Sequence, residues 1–351
     1  MTKRKTLIAM SGGVDSAVAA LLLLQSDYSV EGITMQLWSN SENDNSNDDN
    51  LLQAKAISST LNIPHHSISL HEEFNNCVIN HFINAYKNGE TPNPCVECNK
   101  RLKFGRLIDI AVEQGFDFLA TGHYARIEKN SNGIFLLKKA LDEKKDQSYF
   151  LWSLNKNDLS KILFPLGNYT KDEVRSIARE NGFLNADRGD SQDICFIPDG
   201  DYIKFLEQHG NVKFKCGNFI DTSGNIIGKH EGIEKYTIGQ RKGLGIAFGA
   251  PMFVNQKNAV DNTITLSTDA ELYKNTLCAS KINILTDDTL EKETRLEAKI
   301  RYRHTPAPCT VIRTNEDKFS IIFDTPQRAI TKGQSVVLYD GDTVIGGGII
   351  E

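Results

Sequence analysis

The sequence predicts an α/β N-terminal domain with a parallel, doubly wound sheet, followed by a small β-rich central domain and a C-terminal β-barrel-like domain. Strand-like and helix-like segments alternate through the first half, as in a parallel sheet covered by helices. From about Val212 the pattern changes to short β-branched runs separated by Gly-rich turns. We place the boundaries near Gly210 and Thr276, which gives domains at residues 1–210, 211–275 and 276–351.

The first elements follow from apolar periodicity. Thr6–Met10 is typical of a buried strand, Val14–Gln25 is an Ala- and Leu-rich helix, and Val30–Leu37 is a second strand. The polar stretch Ser39–Asn50 has too few apolar residues to offset the entropy of ordering, so we expect a mobile loop. Helical patterns follow at Leu51–Leu61, Glu72–Lys87 and Lys100–Gln114, with short strands at His66–Leu70 and Phe116–Gly122.

Turn and cap residues mark the later elements. Ala125–Leu141 is hairpin-like and precedes helix signals at Lys156–Leu163 and Thr170–Asn181. The second of these helices opens with a Thr170/Glu173 capping box and stops at Gly182. In the β-rich half, turn residues at Thr222–Asn225 and Asp340–Asp342 separate short strands.

Composition restricts the function classes. A chain of 351 residues with 40% hydrophobic and 24% charged residues is an ordinary globular protein. Because no apolar run reaches signal-peptide or membrane-span length, we expect a cytoplasmic protein with no membrane partner. The net charge of −5 does not indicate a nucleic-acid binder, but Lys138–Lys145 and Lys299–His304 are locally basic. Seven cysteines, an odd number, argue against a disulfide framework.

A glycine-containing loop joins the first strand to the first helix. It consists of Ala9, Met10, Ser11, Gly12, Gly13, Val14, Asp15 and Ser16. Backbone N–H groups at a helix N-terminus bind anions, and the two serines and the aspartate add hydroxyls and a carboxylate. The loop lacks the Lys-Ser/Thr pair of a Walker P-loop, and its simplest alternative is a plain Gly-Gly turn. Met35 and Gly122 end other strands, at the edge where open α/β sheets bind ligands.

A CxxC pair, Cys95 and Cys98, follows two prolines just before a predicted helix. A thiol at a helix N-terminus near lysines ionises readily and becomes a nucleophile, so we expect a reactive cysteine here. Cys195, far downstream in a polar setting, is a third candidate. The alternative is half of a zinc site, although no second CxxC or HxxxH pair completes one. The other four cysteines have no such setting.

These segments resemble the tRNA 2-thiouridylase family of the ATP pyrophosphatase superfamily. The motifs SGGVDS, TPNPCxxCNK, ATGHYAR, KDQSYFL, SQDICFI and YTIGQRKGLGI occur in family order over nearly the whole chain. The resemblance implies an adenine nucleotide alpha hydrolase-like fold, with ATP and Mg²⁺ as cofactors. It also implies a sulfurtransferase that adenylates the C2 oxygen of the wobble uridine, U34, and replaces it with sulfur.

The resemblance also implies a role for individual residues. Cys98 is the nucleophile, and Cys195 carries the persulfide, so that transfer leaves a Cys98–Cys195 disulfide. Ala9 through Ser16, Met35 and Gly122 line the nucleotide, and Asn93, Pro94 and Cys95 contact the target base. The tRNA contacts are His123, Lys145, Asp146, Gln147, Arg301, Tyr302 and Gln334. The implied partners are glutamate, lysine and glutamine tRNAs and a sulfur donor, either a cysteine desulfurase or a relay protein.

Three alternatives stay open from the sequence. Many family members have Asp where this chain has Cys95, so Cys95, Cys98 and Cys195 can instead hold a [4Fe–4S] cluster. An amidating ATP pyrophosphatase would need an amine donor rather than paired cysteines, and a non-catalytic RNA-binding module would release no pyrophosphate. We also expect the polar segment 189–193 beside Cys195 to be a loop that reorders when tRNA binds.

Overall fold

The computed structural model describes residues 3–38, 46–183, 185–186, 189, 194–245, 249–286, 290 and 293–351. The chain divides into two compact units. Unit 1 contains Met1–Val78, Cys95–Phe196 and Asp342–Ile345, and unit 2 contains Ile79–Pro94, Ile197–Gly341 and Gly346–Glu351. Among the described residues, no helix is long and apolar enough to cross a membrane.

The elements before residue 196 alternate between strand and helix. Two π-helical segments, Asn75–Ile79 and Asn99–Arg106, and two 3-10 turns, Ser148–Phe150 and Lys156–Lys161, lie among them. In chain order the other elements are β1 (Lys5–Ala9), α1 (Val14–Gln25), β2 (Ser29–Gln36), α2 (Ser46–Thr60), β3 (His65–Ser69), α3 (His71–Phe74), α4 (Asn80–Lys87), α5 (Pro94–Cys98), α6 (Leu107–Glu113), β4 (Phe118–Thr121), β5 (Arg126–Lys129), β6 (Phe135–Lys138), β7 (Ile162–Leu163) and α7 (Lys171–Glu180).

Unit 1 is built on a parallel sheet with the strand order β3-β2-β1-β4-β7. Strand β1 pairs with β2 on one side and with β4 on the other, with Thr6 opposite both Val30 and Phe118. After β1 the chain forms β2 and β3 on one side of that strand, and it then crosses back to form β4 on the other side. In such a sheet the crevice for a ligand lies beyond the carboxyl ends of β1 and β4. The predicted parallel α/β domain is therefore confirmed.

Helix α1 provides much of the core beside this sheet. Its small and branched residues, among them Ala17, Val18 and Leu23, are buried against Ile8 and against Val174 of α7. Each fully buried Val or Leu side chain contributes about 1.5–3 kcal/mol of transfer free energy. This packing holds the N-terminus of α1 firmly at the end of β1.

Two local predictions were wrong. Part of the expected loop Ser39–Asn50 is helical, because α2 begins at Ser46 and buries Ala54 and Ile57 against the core; residues 39–45 lie outside the described residues. The helix expected at Lys156–Leu163 is a short 3-10 turn followed by β7, whose Ile162 pairs with Leu119 of β4. In both places tertiary packing outweighs the local pattern.

The middle of the chain forms a small mixed sheet within unit 2. Its elements are α8 (Tyr202–Gly210), β8 (Gly217–Ile220), β9 (Ile226–His230), β10 (Phe253–Asn258) and β11 (Thr263–Ser267), with a 3-10 turn at Ile233–Lys235. The strand order is β10-β11-β8-β9, and only the β11–β8 pair is parallel. Phe219, Tyr236 and Leu266 lie at the centre of its own core.

The C-terminal region forms a closed antiparallel β-barrel. A 3-10 turn at Asp269–Leu272 precedes its strands, which are β12 (Tyr273–Ile284), β13 (Thr294–Lys299), β14 (Ala307–Asn315), β15 (Lys318–Arg328), β16 (Ser335–Asp340) and β17 (Thr343–Ile350). The order is β12-β15-β14-β13-β16-β17, and β17 pairs back to β12 with Ile350 opposite Ala279; the β6–β5 hairpin continues the same sheet from β17, with Lys138 opposite Thr343. Closure removes the open sheet edges, and the predicted barrel is confirmed.

Candidate active site

The glycine-containing loop caps the N-terminus of α1. Gly12 has φ +74°, a left-handed conformation that glycine adopts without strain. The Ser16 hydroxyl donates to the Gly13 carbonyl at 3.0 Å and accepts from the Ser11 N–H at 3.3 Å. These bonds fix the loop at the positive end of a twelve-residue helix, where an anion such as a phosphate is stabilised.

Gly122, which follows β4, lies against the same loop. A Cβ at this position would be 2.8 Å from the Asp15 carbonyl carbon and 2.9 Å from the Ser16 nitrogen. Both neighbours are backbone atoms of the first turn of α1, so they cannot rotate away. Only glycine permits this close approach, which brings two of the predicted nucleotide residues together.

The two predicted methionines have different settings. Met10 is buried, and its carbonyl accepts from the Thr34 hydroxyl at 2.8 Å, while the Ser58 hydroxyl donates to its sulfur at 3.2 Å. Met35 is half-buried near the carboxyl end of β2. The Met10 side chain therefore belongs to the core, and its backbone is the part that reaches the loop.

Asp15 is held by two residues that the sequence reasoning missed. Lys171, at the start of α7, donates to both carboxylate oxygens of Asp15 at 2.8 and 2.9 Å, and the Tyr124 hydroxyl donates to one of them at 2.8 Å. The Lys171 side chain is only 7% exposed, whereas that of Asp15 is 34% exposed. A positive charge in the first turn of a helix is unfavourable, because the helix dipole is positive at that end. This unfavourable position of Lys171 was the feature of the sequence that could have pointed to a special role.

Asn185 is another residue that the sequence did not reveal. Its side-chain amide donates to the Gly12 carbonyl at 2.8 Å. Asn185, which follows α7 in the chain, thus binds the backbone of the loop. No motif marks this position, so only the folded chain reveals it.

Cys98 and Cys195 share one electrostatic environment within unit 1, despite their separation in the chain. Cys98 ends α5 and is buried, and burial raises its pKa to about 12, with further contributions from the thiols of Cys195, Cys95 and Cys77. Burial of the sulfur also raises the pKa of Cys195 to about 11, although that residue as a whole is exposed. Both sulfurs are therefore protonated at neutral pH.

The residue after Cys195 anchors this part of the chain. The ring centroid of Phe196 lies 5.7 Å from that of Phe74 and 6.5 Å from that of Trp38. Phe196 and Phe74 are both fully buried. The predicted reordering segment 189–193 lies outside the described residues except for Gly189.

The expectation that the CxxC thiols ionise readily was wrong for this conformation. Cys98 lies near the start of a continuous helical run formed by α5, the π-helical segment Asn99–Arg106 and α6, so burial outweighs any benefit that its thiolate gains from the helix N-terminus. Burial also raises the pKa of Cys95, an exposed residue in the first turn of α5. Deprotonation of either thiol therefore requires help from a nearby cation or from substrate binding.

Lys103 is the cation that faces these thiols. Its charge lowers the pKa of Cys95, Cys98 and Cys195, against the larger effect of burial. Lys103 lies in the π-helical segment Asn99–Arg106 that follows Cys98. In an α-helix a residue five places on lies on a different side of the axis, at about 100° per residue, whereas the wider π-helix, with its i→i+5 hydrogen bonds, brings that residue nearer to the same side. The π-helical geometry thus turns Lys103 toward the Cys98 side.

The three cysteines do not fit a metal centre in this conformation. Within the part of the chain that the structure describes, no three His, Cys, Asp or Glu side chains are grouped closely enough to hold a metal ion. Cys98 and Cys195 are not joined in a disulfide. In this conformation the described residues therefore form no ligand set for zinc or an iron–sulfur cluster.

Several predicted tRNA residues of unit 1 form internal contacts. The Asp146 side chain is buried and accepts from the N–H groups of Ala140 and Ser148 at 3.0 and 3.1 Å. Gln147 accepts from the Tyr124 N–H at 2.9 Å. Gln147 therefore holds the backbone of Tyr124, Asp146 holds the turn between Ala140 and Ser148, and the contact of both residues with tRNA stays a prediction.

His123 lies in an aromatic cluster of unit 1. Its ring packs against Phe104 and Phe164 with centroids 5.6 and 6.0 Å apart, and its Nδ1 is 2.7 Å from the Thr121 hydroxyl. Burial and the charge of Lys103 lower the pKa of His123 well below its ordinary value. The ring is therefore neutral at physiological pH.

The predicted tRNA residues of unit 2 lie on the barrel. Arg301 donates to the Arg328 carbonyl at 3.0 Å, and the Lys299 ammonium lies 5.5 Å from the Tyr302 ring centroid. The Gln334 amide donates to the Thr91 carbonyl at 2.7 Å. Asn93 is half-buried and Pro94 is buried.

Three family patterns match consecutive parts of the chain. Residues 4–199 match the tRNA methyl transferase HUP domain, residues 203–268 the tRNA methyl transferase PRC-barrel domain, and residues 274–350 the aminomethyltransferase beta-barrel domain. The predicted boundary residue Gly210 ends α8, and Thr276 lies within β12.

Full-length relatives carry a common name. The chain is 49% identical to a tRNA-specific 2-thiouridylase MnmA of Clostridioides difficile (strain 630), covering 99% of this chain and 98% of that protein. It is 47% identical to the protein of that name in Treponema denticola, again covering 99% and 98%. Among solved structures, the U34-tRNA thiolase NcsA from Methanococcus maripaludis, with its [4Fe-4S] cluster, is 19% identical, with a TM-score of 0.38 over 59% of this chain and 68% of that one.

Proposed function

Because this chain belongs to the tRNA-specific 2-thiouridylase family, we propose that it replaces the C2 oxygen of the wobble uridine (U34) of tRNA with sulfur, using ATP. One observation carries the proposal. Within unit 1, the loop of Ser11–Ser16 lies at the switch point of the sheet, where an anion would bind. The same unit contains the Cys98 and Cys195 thiols, and the Cys195 sulfur influences the pKa of Cys98. Activation and sulfur delivery need these two devices in one enzyme.

The first step is adenylation. The uridine C2 oxygen attacks the α-phosphorus of ATP, and pyrophosphate leaves into the loop of Ser11–Ser16. Mg²⁺ that accompanies ATP neutralises phosphate charge, and the Ser11 and Ser16 hydroxyls and the Asp15 carboxylate are the groups that would hold the nucleotide and its ion. Since Lys171 and Tyr124 occupy Asp15 here, we infer that Lys171 transfers its contact from Asp15 to a phosphate when ATP binds.

The second step is sulfur transfer. The Cys98 thiolate attacks the inner sulfur of a Cys195 persulfide, which forms a Cys98–Cys195 disulfide and releases hydrosulfide. Hydrosulfide adds to C2, loses its proton, and AMP leaves with the original oxygen. The persulfide sulfur is reduced to the sulfide level while the two thiols are oxidised, so an external thiol must reduce the disulfide after each turnover. Lys103 stabilises the anionic sulfur during this exchange.

The remaining assignments concern partners. Asn93, Pro94 and Cys95 face the target base, His123 lies beside it, and Lys145, Arg301 and Tyr302 contact the tRNA. The glutamate, lysine and glutamine tRNAs are the expected substrates, and a cysteine desulfurase or a relay protein loads Cys195 in the cytoplasm. The [4Fe–4S] alternative finds no fitting ligand group among the described residues.

The test follows each half-reaction separately. We expect Cys195→Ser to release pyrophosphate with tRNA but to accept no persulfide, and Cys98→Ser to carry a persulfide on Cys195 without forming 2-thiouridine. Pyrophosphate release, mass spectrometry of the protein and nucleoside analysis of the tRNA measure the three outcomes. Cys216→Ser, at an exposed cysteine of unit 2, is the control. A persulfide found on Cys98 in preference to Cys195 would reverse the roles, and normal thiolation by both variants would refute the proposal.

A further inference from the structure

The barrel loop of residues 331–334 holds the backbone of Thr91. The Thr91 N–H donates to the Lys332 carbonyl at 3.0 Å, and the Thr91 carbonyl accepts from the Gln334 side-chain amide at 2.7 Å. Thr91 and the loop belong to the same compact unit. Both polar groups of one peptide residue are thus fixed by a segment more than two hundred residues away in the chain.

Gly333 makes this approach possible. It has φ +88°, and a Cβ there would lie 2.9 Å from the Glu90 Cβ, 3.0 Å from the Thr91 nitrogen and 3.2 Å from the Thr91 carbonyl oxygen. The position therefore combines a conformation that favours glycine with a space that excludes a side chain. The loop and the segment at Glu90–Thr91 are in direct backbone contact.

The loop is itself rigidly supported. The Gly333 N–H donates to the Ile350 carbonyl at 2.9 Å, and the Ile350 N–H donates to the Gln334 carbonyl at 2.9 Å. Ile350 is part of β17, which closes the barrel against β12. The position of the Gln334 side chain is therefore set by the barrel framework.

Only a short, stiff segment separates Thr91 from the residues assigned to the target base. Pro92 and Pro94 flank Asn93, and each proline ring fixes φ near −65°. Pro94 also begins α5. Because Asn93 is only two residues from Thr91 and is flanked by prolines, the position of the Thr91 backbone limits where Asn93 and Pro94 can lie.

We propose that Gln334 is a positioning residue, which acts through the Thr91 carbonyl to orient the backbone that carries Asn93 and Pro94. The inference rests on the proposed function, because it assumes that Asn93 and Pro94 face the target uridine. The C-terminal barrel would then have a second role beside any contact with tRNA, because it holds the backbone at Thr91 that leads to Asn93 and Pro94.

The test removes the donor and keeps the shape. Gln334→Glu replaces the amide donor by a carboxylate of equal size, and Gln334→Ala removes the group. We expect either change to lower kcat for 2-thiouridine formation about tenfold, as loss of one well-formed hydrogen bond at a positioned segment does. In Gln334→Ala, which adds no charge, the Kd for tRNA and its salt dependence should change less than about twofold, because no phosphate contact is lost.

Hydrogen exchange provides a readout that needs neither tRNA nor ATP. In both Gln334 variants the peptide that covers residues 88–98 should exchange faster, while barrel peptides keep their protection. Lys332→Met is the matched control, because its ion pair with Glu90 spans 3.7 Å at an exposed site and contributes little. Gly333→Ala should reproduce the Gln334 phenotype, provided that circular dichroism shows an intact fold.

The outcomes separate the two proposals. Unchanged exchange at residues 88–98 in both Gln334 variants would overturn the inference, and weaker tRNA binding by Gln334→Ala beside it would leave Gln334 as a direct tRNA contact. Faster exchange with unchanged kcat would also overturn it. If the wild-type protein forms no 2-thiouridine at all, the proposed function fails, whereas the exchange result still decides whether Gln334 holds the segment.

Discussion

Cys98 should be a very slow thiol toward alkylation when tRNA is absent. Burial raises its pKa from 9.0 to about 12, and the thiolate is the reactive form. A difference of three pKa units lowers the thiolate population at pH 7.5 about a thousandfold relative to an ordinary cysteine. For Cys195, with a pKa of about 11, the same reasoning gives about a hundredfold.

The pH dependence follows from the sign of the shift. Because a raised thiol pKa keeps the sulfur protonated, the Cys98 rate should rise about tenfold per pH unit from pH 7 to 10, without the levelling-off that a free thiol such as N-acetylcysteine shows once the pH passes its own pKa. Timed pulses of iodoacetamide followed by peptide mass spectrometry measure each cysteine separately. A Cys98 rate equal to that of N-acetylcysteine at pH 7.5, or a plateau below pH 9, would refute the reasoning.

Lys103 gives the same experiment a second arm. Lys103→Met removes the charge that lowers the pKa of Cys98 and Cys195, so both rates should fall by about three- to tenfold, as expected for a nearby charge in a partly buried site. Lys103→Arg should preserve them. Lys100→Met, at an exposed residue of the same π-helical segment, is the control. Equal rates in the Met variant and the wild type would remove Lys103 from the cluster.

Three further predictions concern the loop and the barrel. Lys171→Met should lower the free energy of unfolding of unit 1 by about 1–3 kcal/mol, less than the loss of a fully buried ion pair, because Asp15 is partly exposed. Urea unfolding followed by tryptophan fluorescence measures this change, since Trp38 and Trp152 both lie in unit 1. An unchanged free energy of unfolding would contradict a stabilising role for the ion pair. Gly122→Ala should weaken ATP binding at least about tenfold by overpacking against α1, as titration calorimetry can show, whereas Gly189→Ala, with no atom within 4 Å, should not. Arg301→Ala should weaken tRNA binding and lower the salt slope by about one, unlike the barrel control Arg313→Ala, and equal slopes would argue against a phosphate contact at Arg301.

The fold was predictable because its signals are local. The helix Val14–Gln25 has the bounds that its apolar pattern predicts, and the capping box of Thr170 and Glu173 is formed. Alternation of strand and helix was enough to predict the parallel sheet, since crossover connections leave few other arrangements. The beginning of α2 was missed because its stability comes from packing against the core rather than from its own composition.

The site was only partly predictable, because its contacts are long-range. The loop residues Ser11–Ser16 form a contiguous motif, but the partners of Asp15 lie 109 and 156 residues away. The burial of Cys98 and the placement of Lys103 depend on a π-helical segment that apolar periodicity does not detect. The Gln334–Thr91 bond spans 243 positions. Motifs identify which residues matter, whereas the folded chain determines what each one touches.

The hairpin of β5 and β6 has a consequence for attempts to dissect the enzyme into fragments. Asp342, which belongs to unit 1, accepts from Arg126 at 2.7 Å, pairs with Lys138 at 3.4 Å, and its carbonyl accepts from the Lys139 N–H at 2.7 Å. In a fragment that ends near residue 199, Arg126 and Lys138 would share a single carboxylate, that of Glu128. The edge of β6 that pairs with β17 would also be uncovered. During synthesis on the ribosome, unit 1 likewise stays incomplete until residue 342 has emerged, so its maturation depends on translation of the β-rich regions that follow residue 196.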